Sequence, residues 1–155
     1  KRMWTGDMST GILEKTNILV RLPSESKEEA IRRAAELLQK QGYVNENYYG
    51  LMLQRETECT TYIGNGVAIP HGISRSEKDI LKSGIVVLQY PDGVSYNGQM
   101  AYLVIGIAGK NSEHLDILAN IACLLDKQEN VDHIVGCKTA DELYELLVPL
   151  NETEV

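Results

Sequence analysis

Residues 101–108, AYLVIGIA, are the most apolar strand-like stretch of this 155-residue chain. A strand that is covered on both faces is a near-continuous run of apolar residues, whereas a strand with one solvent face alternates between apolar and polar residues. The stretch therefore predicts a central strand of a sheet that is buried on both sides.

The sequence on either side of this strand alternates between strand and helix patterns. Residues 17–21 and 84–90 are expected to be further strands, and residues 62–72 a strand that enters a constrained turn. Turns are expected at Pro91–Gly93 and Tyr96–Gly98. Capping boxes and apolar residues at helical spacing predict helices near residues 27–41, 46–57, 74–82, 113–125, 129–135 and 140–148.

The alternation predicts a single α/β domain, in which a mixed β-sheet has helices packed on both faces. We expect this domain to cover residues 11–150. Residues 1–10 are expected to be a tag, linker or disordered end, and residues 151–155 a C-terminal tail.

Composition excludes several classes of function. The chain has 22 acidic residues against 15 Lys and Arg, a formal charge of −7. This balance argues against binding to nucleic acid or to anionic membranes, because both need a basic face. The longest apolar run is far shorter than the roughly 20 residues of a membrane-spanning helix, so no direct membrane insertion is expected. The cysteine and histidine spacings fit neither a disulfide framework nor a metal site, and they favour a cytoplasmic protein without cofactor or metal.

His71 lies in an unusual local sequence. Pro70 fixes its own φ and favours extended backbone at Ile69, so the strand must end at the proline. Gly72 permits a sharp exit from the strand. The imidazole is therefore held at a strand end, where reactive groups are often found. The alternative interpretation is a turn histidine bonded to a nearby carbonyl.

His114 follows a possible helix start. Asn111 or Ser112 can serve as the N-cap, which places His114 in the first turn of the helix. A neutral ring there can donate a hydrogen bond to an anion, although a helix-start histidine is more often structural. A Cys–His hydrolase built from Cys59 or Cys123 with His71 is a distant alternative, and the helix-face setting of Cys123 favours a core position. No role is expected for His133.

A longer pattern surrounds His71. Glu56 is followed after six residues by Ile63-Gly64, and after two more by Val67-Ala68-Ile69-Pro70-His71-Gly72. This pattern resembles the signature of the enzyme IIA domain of the phosphoenolpyruvate-dependent sugar phosphotransferase system, mannitol/fructose class. The resemblance extends from about Ile12 to Leu147 and includes Arg55-Glu56, Gln89–Val94, Leu103–Ala108 and Asn111–His114.

The resemblance implies a phosphotransferase component that carries the phosphoryl group on His71, with Arg55 and His114 as supporting residues. It implies acceptance from the histidine-containing phosphocarrier protein and transfer to a cysteine of enzyme IIB, which serves the membrane enzyme IIC indirectly. Because both partners are proteins, His71 is expected in a shallow depression ringed by apolar residues.

Within the class, residues 89–94 and the segment before His114 are most similar to the mannitol branch, which favours mannitol as the sugar. Asn65 departs from some mannitol members, which have an acidic residue there. A regulatory relative that uses the same phosphohistidine to sense phosphorylation state is the main alternative.

Overall fold

The computed structural model describes residues 11–151. The expectations for residues 1–10 and 152–155 lie outside the described residues. Within residues 11–151, five strands form one sheet in the order β1-β4-β5-β3-β2. Their bounds are Ile18–Leu19 (β1), Tyr62–Gly64 (β2), Val67–Ala68 (β3), Gly84–Tyr96 (β4) and Gln99–Ala108 (β5). The apolar stretch 101–108 lies in the middle strand, as its sequence predicts.

The sheet is mixed. Strand β5 pairs antiparallel with β4 and parallel with β3, and β1 is parallel to β4. His71 adds one further parallel bridge to Ile107, beyond the end of β3. The residue that the sequence singles out is therefore attached to the carboxyl end of the central strand.

Helices cover both faces, which confirms the predicted architecture. They are α1 (Lys27–Lys40), α2 (Tyr48–Glu58), α3 (Glu113–Leu125), α4 (Gln128–Val135) and α5 (Ala140–Leu147). Helices α1 and α2 contribute to one apolar cluster with Val86 and Leu88 of β4, and α3 to α5 contribute to a second cluster with Ile85 and Val87. This alternation along one strand is that of a sheet buried on both sides.

Two local predictions are wrong. Pro91–Gly93 does not reverse the chain, because β4 continues through it to Tyr96, and the pairing register shifts between Gln89 and Val94. The reversal comes only at Asn97 and Gly98, whose positive φ values suit a tight two-residue hairpin turn. The helix expected at residues 74–82 is reduced to a 3-10 turn at Glu77–Asp79.

The buried face of α3 agrees only in part with the apolar stripe that helical spacing predicts, which is Leu115, Leu118, Ile121, Ala122 and Leu125. Ile117, Ile121 and Leu125 point into the core, whereas Leu115 is 68% exposed and Cys123 is exposed. Nine of the 13 positions of this helix are apolar, so periodicity alone did not select the buried stripe. The expectation that Cys123 is a core residue is therefore wrong.

The capping predictions hold for α1 and in part for α5. Ser26 and Glu29 form a reciprocal capping box at the start of α1. Thr139 accepts a hydrogen bond from the Glu142 amide, but the Glu142 carboxylate accepts from the Lys138 amide instead of closing the box on Thr139. Among residues 11–151, no helix is long and apolar enough to cross a bilayer.

Gln89 is a fully buried polar side chain that joins three elements. Its Oε1 accepts from the Arg21 amide at 2.8 Å. Its Nε2 donates to the carbonyls at the carboxyl end of α4, those of Ile134, Val135 and Cys137. The side chain therefore fixes the chain after β1 and the end of α4 against the central sheet.

We expect Gln89→Met to lower the free energy of unfolding by about 1–3 kcal/mol, because buried amide and carbonyl groups lose their partner. Gln99→Met is the matched control, since Gln99 is exposed on the neighbouring strand, and its effect should stay within about 0.5 kcal/mol. Urea denaturation of both variants measures the difference. Equal stability of the two would contradict a structural role for Gln89.

Candidate functional site

The backbone around His71 is held from both sides. The Ile69 amide donates to the Thr61 carbonyl at 3.0 Å, and the Ile107 amide donates to the Pro70 carbonyl at 3.0 Å. The first bond joins the segment to the chain before β2, and the second joins it to the central strand. The chain around Pro70 is therefore fixed where it leaves the sheet.

The imidazole of His71 uses one nitrogen for the fold and leaves the other free. Its Nδ1 lies 2.7 Å from the Ile69 carbonyl oxygen. A carbonyl only accepts, so Nδ1 carries the proton and Nε2 carries the lone pair. The residue is only 7% exposed. Nevertheless, among the described residues Nε2 has no hydrogen-bond partner. It is also not one of the fully buried polar atoms without a partner, so it keeps some contact with solvent. The ring therefore makes the carbonyl bond of a turn histidine through Nδ1, and the functional role expected of Nε2 stays a prediction.

Tyr48 supports the bend that follows His71, and sequence reasoning missed it. Its hydroxyl accepts from the Gly72 amide at 2.9 Å and donates to the Ile107 carbonyl at 2.8 Å. Burial raises the pKa of Tyr48 to about 12, so the hydroxyl keeps its proton. A Cβ on Gly72 would lie 2.8 Å from the Tyr48 ring and closer still to Ser76. These close contacts require glycine here, and the sequence did not reveal the contact with Tyr48 because that residue lies on α2, 24 positions earlier.

His114 lies beside His71, although the two are far apart in sequence. The ring centroids are 5.1 Å apart and the rings are tilted by 56°. A Cβ at Gly109 would lie 2.5 Å from the His114 Cα, so this glycine lets the strand exit pass close to α3.

Ser112 is the residue before α3, but it makes no side-chain capping bond. The expected cap is therefore absent. The loop is held instead by the Asn111 amide, which donates to the Glu77 carboxylate at 2.8 Å.

Arg55 joins the two histidines in the wall of one cavity of about 250 Å³. Its guanidinium donates to the Cys59 carbonyl at 2.7 Å, which orients the side chain at the end of α2. The structure thus brings together all three residues that the sequence analysis selected. The same wall contains Tyr48, Glu58, Ser74, Glu77 and Asn111.

The electrostatics of the cavity favour neutral histidines. Burial lowers the pKa of His71, and the nearby His114 and Arg55 lower it further, against opposing effects of the Ile69 carbonyl and Glu56. Burial, followed by the charge of Arg55, also lowers the pKa of His114. Near neutral pH the cavity therefore holds a permanent cation beside uncharged imidazoles.

Charged and polar side chains make up much of the cavity wall. Exposed Leu81 and Leu115 directly follow the lining residues Ile80 and His114. The expected apolar ring around the depression stays a prediction. Asn65 lies outside this cavity and donates to the Asp126 carbonyl at the end of α3. Among the lining residues of this cavity there is no cysteine, so neither Cys59 nor Cys123 accompanies His71.

Comparison with known proteins places this fold and site in one family. The family model of the phosphoenolpyruvate-dependent sugar phosphotransferase system, EIIA 2, matches residues 11–148. The mannitol-specific phosphotransferase enzyme IIA component of Halalkalibacterium halodurans is 44% identical over 145 residues, which cover 94% of this chain and 100% of the relative. The Bacillus subtilis protein of the same name is 43% identical over 141 residues, which cover 90% of this chain and 99% of the relative.

A solved structure agrees with these relatives. A chain of the Escherichia coli complex of enzyme IIAMTL and phosphorylated enzyme IIBMTL superposes with a TM-score of 0.83 and 38% identity. The match covers 88% of this chain and 97% of that one. With the family model matching nearly the whole described chain, the protein belongs to the EIIA type 2 family of the phosphoenolpyruvate-dependent sugar phosphotransferase system.

Proposed function

We propose that this protein is a phosphohistidine carrier that takes a phosphoryl group onto Nε2 of His71 and passes it on during sugar uptake. The observation that carries the proposal is the state of this one ring. Nδ1 is held by the Ile69 carbonyl at 2.7 Å, and Nε2 is free beside Arg55 and His114. A neutral imidazole nitrogen with a lone pair is a competent nucleophile near pH 7.

The transfer needs no added base. The Nε2 lone pair forms a bond to phosphorus while the bond to the donor's nitrogen breaks, and the donor nitrogen keeps that electron pair. In the second half-reaction a cysteine thiolate attacks the phosphorus, and the Nε2–P bond breaks with its electrons returning to His71. The proton stays on Nδ1, which donates it to the Ile69 carbonyl throughout, so the ring does not change tautomer between steps.

Arg55 and His114 are suited to bind the transferred group. The guanidinium offers charge-assisted donors to phosphoryl oxygens, and the neutral imidazole can offer one uncharged donor. The carboxylates of Glu58 and Glu77 lie in the same wall and repel the negative charge of the phosphoryl group. Because stabilisation by a single cation is offset in this way, the phosphoryl group is held loosely enough to be released.

The proposed donor is the histidine-containing phosphocarrier protein, and the proposed acceptor is the cysteine of a mannitol-specific enzyme IIB. Identity of 43–44% with two mannitol-specific relatives supports the choice of sugar. The E. coli complex of enzyme IIA with phosphorylated enzyme IIB supports the acceptor. The carrier then works in the cytoplasm and serves the membrane enzyme IIC indirectly.

We expect NMR to find His71 as the Nδ1–H tautomer, with a pKa below the ordinary imidazole value of about 6.5. Protonation of Nε2 removes the nucleophile. The acceptance rate should therefore be level above that pH and fall only at more acid pH. Long-range ¹H–¹⁵N spectra over a pH titration follow His71 and His114 together. A pKa well above 7 for His114 would contradict its role as a neutral donor.

Incubation with phosphoenolpyruvate, enzyme I and the phosphocarrier protein tests the carrier directly. The wild type should gain one acid-labile phosphate, and His71→Ala should gain none while keeping its fold. His114→Ala should still accept phosphate, but about a hundredfold more slowly, the order expected for loss of one preorganised donor. His133→Ala is the control, because His133 is exposed on α4.

The same assay separates the alternatives. A Cys–His hydrolase would gain no phosphate. A regulatory relative would gain phosphate but would not deliver it to mannitol-specific enzyme IIB, whereas the proposed carrier would deliver it. An unchanged transfer rate in His114→Ala would remove that residue from the mechanism.

Tyr48→Phe should slow phosphate acceptance roughly tenfold to a hundredfold, because small displacements of a reacting group are costly. The variant removes the hydroxyl that holds the Gly72 amide and the Ile107 carbonyl. Tyr49→Phe is the matched control, since the Tyr49 hydroxyl makes only a long, exposed contact to the Glu28 carbonyl. Stopped reactions analysed for phosphoprotein give both rates, and equal rates would contradict a positioning role for Tyr48.

A further inference from the structure

Glu56 directly follows Arg55 but its carboxylate points away from solvent. The side chain is 5% exposed, and its Oε2 accepts from the hydroxyls of Thr61 and Tyr96, the latter at 3.0 Å. These two hydroxyls are themselves 2.9 Å apart. A buried carboxylate is costly unless its oxygens are satisfied, so this position is strongly constrained.

One cation balances the charge. Lys27 Nζ lies 3.3 Å from Glu56 Oε1, and the lysine side chain is 15% exposed. Oε1 is buried and accepts no hydrogen bond among the described residues, so this ion pair is its only charged partner there. Lys27 also donates to Asn97 at the hairpin turn and lies 5.0 Å from the centroid of the Tyr96 ring. The cluster therefore ties α1, α2 and the β4–β5 turn together.

Hydrogen bonds through Thr61 and Ile69 connect the same cluster to the reactive ring. Thr61 is bound to Glu56 through its side chain, and its backbone carbonyl accepts from the Ile69 amide at 3.0 Å. The Ile69 carbonyl in turn accepts from Nδ1 of His71 at 2.7 Å. Each link is a single hydrogen bond between buried or half-buried groups, so a displacement of Thr61 moves the peptide that fixes the tautomer.

We propose that Glu56 is a positioning residue for phosphoryl acceptance, which holds Thr61 so that the Ile69 carbonyl keeps His71 in the Nδ1–H tautomer. Glu56 does not touch the transferred group. It acts on the tautomer through the backbone between Thr61 and Ile69, and its charge separately raises the pKa of His71; Thr61→Val keeps that charge and isolates the backbone path. The inference rests on the proposed function for its kinetic consequence, but the tautomer of the unphosphorylated protein tests it independently.

The chain offers a matched control in Glu25. That carboxylate is also largely buried, with a side-chain exposure of 12%, and it accepts from a tyrosine hydroxyl, that of Tyr90. Its cationic partner is Arg33, which donates to both oxygens, at 2.7 and 2.8 Å. Glu25 contacts no residue of the Thr61–Ile69–His71 chain in the bonds that the structure shows, so its loss affects stability without a path to the ring.

The experiment compares Glu56→Gln, Thr61→Val and Glu25→Gln with the wild type. Thr61→Val keeps the backbone carbonyl and the branched shape but removes the hydroxyl, so it is informative if Glu56→Gln does not fold. In both Glu56→Gln and Thr61→Val, ¹H–¹⁵N spectra should show a fraction of His71 with the proton on Nε2. Phosphate acceptance should slow roughly tenfold to a hundredfold, as expected for a misplaced reacting group. Glu25→Gln should change neither readout.

The outcomes are distinct. Wild-type tautomer and rate in both folded variants would overturn the inference, as would an equal tautomer change in Glu25→Gln. If the wild type accepts no phosphate at all, the proposed function fails. The tautomer comparison then still decides whether Glu56 orients His71.

Discussion

The hydrogen bond from Nδ1 of His71 to the Ile69 carbonyl is the constraint on which the site depends. The bond joins two residues that are only two positions apart. It is maintained because the Thr61 carbonyl holds the Ile69 amide and because the central strand holds the Pro70 carbonyl. A freely rotating imidazole would exchange its proton between nitrogens and present Nε2 in many directions. The sheet removes this freedom before any partner protein arrives, which is the form of preorganisation that lowers a transfer barrier.

The charges around the ring follow from the need for reversible transfer. Burial and the Arg55 guanidinium keep His71 and His114 neutral, so Nε2 retains its lone pair. In the proposed mechanism, the guanidinium supplies the positive charge for the phosphoryl oxygens. A second permanent cation would bind the group more tightly and oppose its release. One cation with neutral donors is a balance suited to a carrier that must both accept and give.

Buried polar side chains hold the elements around this site at fixed distances. Gln89 joins β4 to the end of α4, Tyr48 joins α2 to the bend after His71, and Glu56 joins α2 to the hairpin and to α1. Gln89 and Tyr48 are satisfied by partners from distant parts of the chain. Glu56 is held by the Thr61 and Tyr96 hydroxyls at Oε2 and by the Lys27 ion pair at Oε1. Such groups are costly when unpaired, so they specify one arrangement of helices around the sheet.

Sequence alone was sufficient where the signal is local. The apolar stretch 101–108 determined a central, doubly covered strand, the Ser26–Glu29 pair determined the start of α1, and the bend at Pro70 and Gly72 singled out His71. The strand, the helix start and the bend depend on neighbouring residues, which a single sequence displays. Arg55 and His114 were selected through the resemblance of the surrounding pattern to a known family.

Only the tertiary structure decided which groups meet. Tyr48 reaches a carbonyl 59 positions away, and Gln89 reaches one 45 positions away. The buried face of α3, the continuation of β4 through Pro91–Gly93 and the ion pair of Lys27 with Glu56 were equally hidden. Their common physical reason is that burial and hydrogen-bond partnership are set by packing between separate elements, which local propensity and periodicity do not encode.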